Sequence, residues 1–361
     1  MFNEDADETP QADGYLTLLP YLAHESGEVT GGVCGLTPWG APVVSGLRGF
    51  NGAGEPWLGI LLESPTAYMR VTTPLQKKEY ELLHLRRLAV DARAARGVDL
   101  FDAVVGEAEP PDFIVASGDQ RLGYEMTQFA IPDRRQAQSL FFEVSARLAD
   151  QQQHRISHLS GYQLYIWFGA ASDAAGLPFK RSNQTIYDEL LEAFIAHIPD
   201  PDQFRVSASK TPEQVKFKPV RTVADVQFLS IPLLGSVPAS LFYAVTGLNV
   251  ALAFQSDHTA GGEWAKLRAA VKRKDKPANN ILVISVGAPD KFGRCFASEE
   301  VLADFMLEFP ETLQVEHLSS VILHFWNTGR VVELLGEKPV ALWPGHFEGL
   351  SPAFHPFRPL G

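Results

Sequence analysis

Pro111-Asp112-Phe113-Ile114-Val115 and Gly123-Tyr124-Glu125-Met126-Thr127 flank the polar segment Ser117-Gly118-Asp119-Gln120-Arg121, and together they read as a β-hairpin. β-Branched and aromatic residues on both sides of a Gly-Asp turn are the signature of paired strands. Each arm carries one carboxylate. Asp112 opens the first strand, and Glu125 follows thirteen residues later within the second. That offset suits a strand, a turn and a returning strand, so the two carboxylates can face each other. Mg²⁺ prefers oxygen ligands and keeps several waters, so one or two carboxylates are a typical protein contribution. A cation held there would polarise a phosphate and activate a water.

Outward from the hairpin, helical and extended patterns alternate. Pro74 precedes a helical stretch from Leu75 to about Arg96, with Leu82, Leu85 and Leu88 on its apolar side. Residues 133–156 read as a further helix, 161–168 as a strand, 183–197 as an amphipathic helix and 226–231 as a strand. Residues 199–221, rich in Pro and polar side chains, read as a long connection. A basic helix at 263–274 precedes the apolar strand Ile281-Leu282-Val283-Ile284, and Ser298 is expected to cap a helix running to Phe309. Residues 321–325 read as the last core strand.

This alternation predicts an α/β fold with a mixed central sheet flanked by helices. Four regions are expected: an acidic, disordered tail (1–14), a β-rich N-terminal region (15–73), the α/β core (74–343) and a Pro- and Gly-rich C-terminal extension (344–361).

The 361 residues are 45% hydrophobic and 20% charged, the composition of a globular protein large enough for two or three compact units. No apolar run approaches the ~20 residues that span a bilayer, so no membrane partner is expected. The first residues are acidic and polar, unlike a signal peptide. Only Cys34 and Cys295 occur, which excludes a disulfide framework and fits a reducing cytoplasm. Both read as small buried hydrophobes. The net charge of −12 argues against a nucleic-acid coat protein but not against a nuclease, whose groove alone must be positive. Basic clusters do occur, the densest at Lys266, Arg268, Lys272, Arg273, Lys274 and Lys276.

Pro111-Asp112, a gap, then Glu125-Met126-Thr127 resembles the PD-(D/E)xK nuclease superfamily, and most of all its divergent bacterial branches. The resemblance covers about residues 75–130 by motif and 264–326 by pattern. It implies a restriction-endonuclease-like core that hydrolyses phosphodiester bonds in DNA or RNA with Mg²⁺ or Mn²⁺. By that resemblance Asp112, Glu125 and the Met126 carbonyl ligate the metal. A helical glutamate, Glu81 or Glu79, completes the shell, with Glu107 as a loop candidate. Thr127 stands where the family has a catalytic lysine, and a threonine hydroxyl does not match an ammonium in stabilising developing charge. Lys272 or Lys274 of the basic helix would then supply it, while Lys266, Arg268, Lys272, Arg273 and Lys274 face nucleic acid. A homodimer or a protein partner is in keeping with the family. The alternative is a catalytically silent descendant that binds or assembles.

Other constellations read as structural. His154 and His158 stand four apart without an HExxH context. Asp257-His258 reads as a loop turn, and Phe141, Tyr162, Tyr165 and Trp167 as core; the structural alternative to a metal role for Glu125 is a cross-strand ion pair with Arg121. No GxSxG, Walker loop or dinucleotide fingerprint is present.

Overall fold

The computed structural model describes residues 28–36, 42–63, 66–67, 73–97, 99–136, 162–170, 188, 192, 214–217, 226–232, 244–245, 248–345 and 353–356. The expected tail and the histidines at 154 and 158 lie outside the described residues. So do most of the expected helices at 133–156 and 183–197.

The hairpin lies within a seven-stranded mixed sheet whose spatial order follows the chain. Helix α1 (Lys77–Arg96) comes first. It is followed by β1 (Ala103–Glu107), β2 (Phe113–Ser117) and β3 (Gln120–Phe129), which form an antiparallel meander. Helix α2 (Ala260–Lys274) leads into β4 (Ile281–Val286), which runs parallel to β3. Helix α3 (Ala297–Leu307) leads into β5 (Ser320–Phe325), parallel to β4. The antiparallel strands β6 (Val331–Glu333) and β7 (Val340–Trp343) finish the sheet.

Strand alternation divides the core cleanly. Leu282, Ile284 and Val286 of β4, with Val321, Leu323 and Phe325 of β5, pack under α2 and α3. Val283 and Ile322 point the other way, joining Phe113, Val115, Tyr124 and Met126 beneath Leu85, Leu88 and Ala92 of α1. Both faces are therefore covered, which is why these strands read as nearly continuous apolar runs.

A second, nine-stranded sheet includes 28–36, 42–50, 56–63, 248–259, 162–170, 226–232 and 214–217, with 353–356 at the 28–36 edge. Val44, Leu47, Trp57, Leu58 and Ile60 of this sheet share the core of α2 and α3, so those helices lie between the two sheets. Trp264, fully buried, ties α2 to α3 by donating its indole N–H to Met306 O at 3.0 Å. Strand pairing thus joins the β-rich N-terminal region to strands far downstream of residue 74.

Three local expectations are corrected. Ser298 is not the cap of α3: the cap position is Phe296, and Ser298 instead donates both its N–H (2.9 Å) and its hydroxyl (2.5 Å) to Glu63. Asp257 and His258 lie in a strand, Leu248–Thr259, because they pair with Gly59 and Leu58. The connection at 199–221 contains a strand, Gln214–Phe217. α1 ends where expected, at Gly97, whose φ of +70° allows its N–H to reach Arg93 O at 2.8 Å.

Candidate functional site

The β2–β3 ladder ends with Phe113 opposite Tyr124. One further step in the same register sets Asp112 opposite Glu125. Asp112 therefore sits at the mouth of the strand pair. Its Oδ2 accepts the Met126 N–H at 2.9 Å, and its Oδ1 lies 2.5 Å from Lys78 Nζ on the first turn of α1. The carboxylate is buried, with 1% of its side chain exposed.

Around Asp112, α1 builds a mixed-charge cluster. Lys77 Nζ lies 3.9 Å from Asp112, and Lys78 Nζ also bonds Glu109 at 3.0 Å. Burial works against the Lys78 charge, but the bonds to Asp112 and Glu109 prevail and raise its pKa above the ordinary lysine value. Glu81, one turn further along α1, is buried and lies 3.5 Å from Lys77 and 3.8 Å from Lys78. Its Oε2 has no hydrogen-bond partner. Burial, then the Asp112 charge, push the Glu81 carboxyl above its ordinary range, while Lys77 and Lys78 pull it back. Glu79 instead closes the helix start, where its Oε2 accepts the Gln76 N–H at 2.6 Å. Glu107 is exposed on β1.

Glu125 lies in register with Leu282 of β4, on the α2 side of the sheet. There it meets Lys274, whose ammonium bonds its Oε1. Lys274 continues the stripe Trp264, Leu267, Val271 that α2 turns toward the sheet. A helix spacing of three and four residues puts these on one face. The alternative ion pair of Glu125 with Arg121 is thus replaced, Arg121 being exposed at the hairpin tip.

Of the two candidate lysines, Lys274 reaches Glu125 and Lys272 is exposed. Thr127 is half-buried two residues beyond Glu125, in register with Ile284. Met126 is buried on the α1 side. Lys266 bonds Glu263 at 2.6 Å and Arg268 bonds Glu311, whereas Lys272 and Arg273 are exposed without a partner among the described residues. The sequence did not single out Lys78; its place in the site follows from standing beside Asp112.

Among the described residues, no three His, Cys, Asp or Glu side chains are grouped to hold a metal. Asp112 and Glu125 are instead balanced by ammoniums from helices on opposite faces, Lys78 from α1 and Lys274 from α2. They are coupled through one backbone step, since Asp112 grips the N–H of the residue after Glu125. Among the described residues, no helix is long and apolar enough to cross a membrane.

Comparison with protein-family models, curated proteins and solved structures returned no match to this chain.

Proposed function

We propose that this chain is a divalent-metal-dependent nuclease of the PD-(D/E)xK kind, with its centre at Asp112 and Glu125. The observation that carries the reading is the order α1–β1–β2–β3–α2–β4, with Asp112 at the mouth of β2, Glu125 beside it on β3 and Lys274 delivered by α2. On this reading these elements form a restriction-endonuclease-like core whose lysine has moved from the strand to the helix, with strands of the second sheet intervening in the chain between β3 and α2. Asp112, Glu125 and Glu81 offer only oxygen donors, as Mg²⁺ and Mn²⁺ prefer, and would have to draw together around the ion, since they are not grouped as a three-ligand set. The orphaned buried Oε2 of Glu81 fits a cation.

When bound, the metal would polarise the scissile phosphate and lower the pKa of a water. The chain's own residues do the remaining work. Lys274 supplies the positive charge that Thr127 lacks, next to the Glu125 carboxylate. Lys78 holds Asp112 in place. Lys272, Arg273 and Lys276, exposed at the end of α2, offer positive charge to a phosphate backbone. In a cleavage assay with labelled DNA and RNA and Mg²⁺ or Mn²⁺, Asp112→Ala and Glu125→Ala abolish turnover with the fold intact. Lys274→Met lowers it roughly 10²–10³-fold, as loss of a charge stabiliser does. Normal cleavage by both carboxylate variants would sink the assignment.

The existing ion pairs also support a second reading. With both carboxylates neutralised by lysines and threonine at 127, the chain would be a catalytically silent binding or assembly module. That reading gains if the folded protein binds nucleic acid or protein but does not cleave and takes up no divalent metal.

A further inference from the structure

At the opposite end of α2 from Lys274 lies a second line of polar groups. Strand alternation places Ser256 and His258 on one face of the strand Leu248–Thr259, opposite Ile60 and Leu58 of the neighbouring strand. Thr259 then caps α2, its hydroxyl accepting the Gly262 N–H at 3.2 Å. The first helical turn brings Glu263 back over the strand. His258 Nδ1 lies 3.0 Å from Glu263 Oε1, and His258 Nε2 lies 3.1 Å from Ser256 Oγ. An ionised carboxylate only accepts, so Nδ1 carries a proton; when Nε2 carries none, it is placed to accept from the Ser256 hydroxyl. Lys266 bonds the same carboxylate oxygen at 2.6 Å. Burial alone would raise the Glu263 pKa, but the His258 and Lys266 bonds outweigh it and keep the group ionised. The buried Arg134 donates Nη1 to Ser256 Oγ at 3.2 Å, setting a cation beside the same oxygen.

These are the roles of a nucleophile, a base and the group that orients the base. We propose that Ser256, His258 and Glu263 form a nucleophilic relay that hydrolyses a small carboxylic ester, an activity separate from the Asp112–Glu125 site. Glu263 and Lys274 are eleven residues apart on α2, about 16 Å of helix. In the first step Ser256 Oγ bonds to the ester carbonyl carbon and its proton passes to His258 Nε2. The bond from that carbon to the alcohol oxygen then breaks, and the alcohol leaves with the proton from Nε2. Water, deprotonated by the same nitrogen, adds to the acyl carbon; the bond from that carbon to Oγ then breaks, Oγ takes the proton back from Nε2, and the carboxylic acid leaves. Arg134, itself ion-paired with Glu63 at 3.3 Å, holds the Ser256 oxygen in place. Ser256 is half-buried.

The test is hydrolysis of p-nitrophenyl acetate and labelling with a fluorophosphonate, both by the full chain in EDTA, which removes any contribution from a divalent metal. The expected result is a label on the peptide carrying Ser256, lost in Ser256→Ala. Circular dichroism reports whether that variant folds; if it does not, the labelled position in the wild type decides. Glu263 acts as a positioning residue. Glu263→Gln therefore labels roughly 10²–10⁴-fold more slowly, with a displaced pH–rate profile, and Glu263→Asp restores part of the rate. Folded wild-type protein that neither hydrolyses the ester nor takes the label, or that is labelled at another residue, would overturn the proposal.

Discussion

Lys274 of α2 donates to the carboxylate of Glu125 on β3, joining positions 149 residues apart in the chain. The carboxylate is buried and the lysine is about a quarter exposed. Removing one partner leaves a charge stranded in the interior, whereas removing both does not. Lys274→Met should therefore destabilise more than the Lys274→Met/Glu125→Gln double variant. The two sites should couple by about 1–3 kcal/mol, read from urea unfolding of the four proteins. Additive effects would mean that the pair contributes nothing to the fold.

Gly123 fixes the approach of the hairpin to the rest of the site. A Cβ at this position would stand 2.5 Å from Ala278 O and 2.9 Å from Pro111 Cγ, while the Gly123 N–H donates to Asn280 Oδ1 at 2.7 Å. Backbone on one side and a proline ring on the other leave no room to yield. Gly123→Ala is expected to cost about 1–3 kcal/mol, the usual range for overpacking, and to loosen the Asp112–Met126 contact next to it. Thermal unfolding, with amide exchange at Met126, checks both parts.

The hairpin and its carboxylates were legible because strand signals are local: β-branched and aromatic residues, a Gly-Asp turn, and a period of two. The choice of Glu81 over Glu79 was not legible. Both stand in the first turns of α1, and what separates them is a backbone N–H at Gln76 that takes one as a cap and burial that takes the other. Lys274 over Lys272 was a question of helix phase. Extending the stripe Trp264, Leu267, Val271 by three residues answers it, but only once the sheet beneath α2 is known. The relay at Ser256 was hidden because Gly261, Gly262 and Thr259 look like a loop; they are a helix start that follows a strand without a break.

Glu300 in the first turn of α3 sets an alkaline limit. Burial is the main cause that pushes its carboxyl up to about 8, Asp304 adds to it, and the Asn327 N–H at 2.8 Å opposes it. Between its unfolded value near 4.5 and about 8, the folded protein holds a proton that the unfolded chain has lost. The stabilisation from this group is complete below pH 4.5 and disappears as the pH rises through about 8. Glu300→Gln, which keeps an acceptor for the Asn327 N–H, should remove most of this slope and be the more stable protein at pH 9. Urea midpoints from pH 5 to 9 measure it.

His84 sets an acid limit of opposite sign. Burial is the main cause lowering its pKa to about 4, His324 and Arg135 add repulsion, and the Pro289 carbonyl, 3.0 Å from Nε2, pulls it back. The folded state keeps the ring neutral where the unfolded chain is protonated. The stabilisation is therefore complete above pH 6.5 and is lost as the pH falls toward 4. At 1.36 kcal/mol per pH unit, the limb is worth about 3 kcal/mol. His84→Gln, which retains a donor for Pro289 O, should make acid unfolding shallower over that range, followed by tryptophan fluorescence.

Asp112 and Glu125 are proposed to share one divalent cation. Mn²⁺ titration followed by electron paramagnetic resonance tests this directly, in the wild type, Asp112→Asn and Glu125→Gln, with folding checked by circular dichroism. The prediction is one saturable site in the wild type, weakened at least tenfold in each single variant, since either change removes a charged ligand from a shared ion. No saturable site in the folded wild type, or equal affinity in all three proteins, would contradict it.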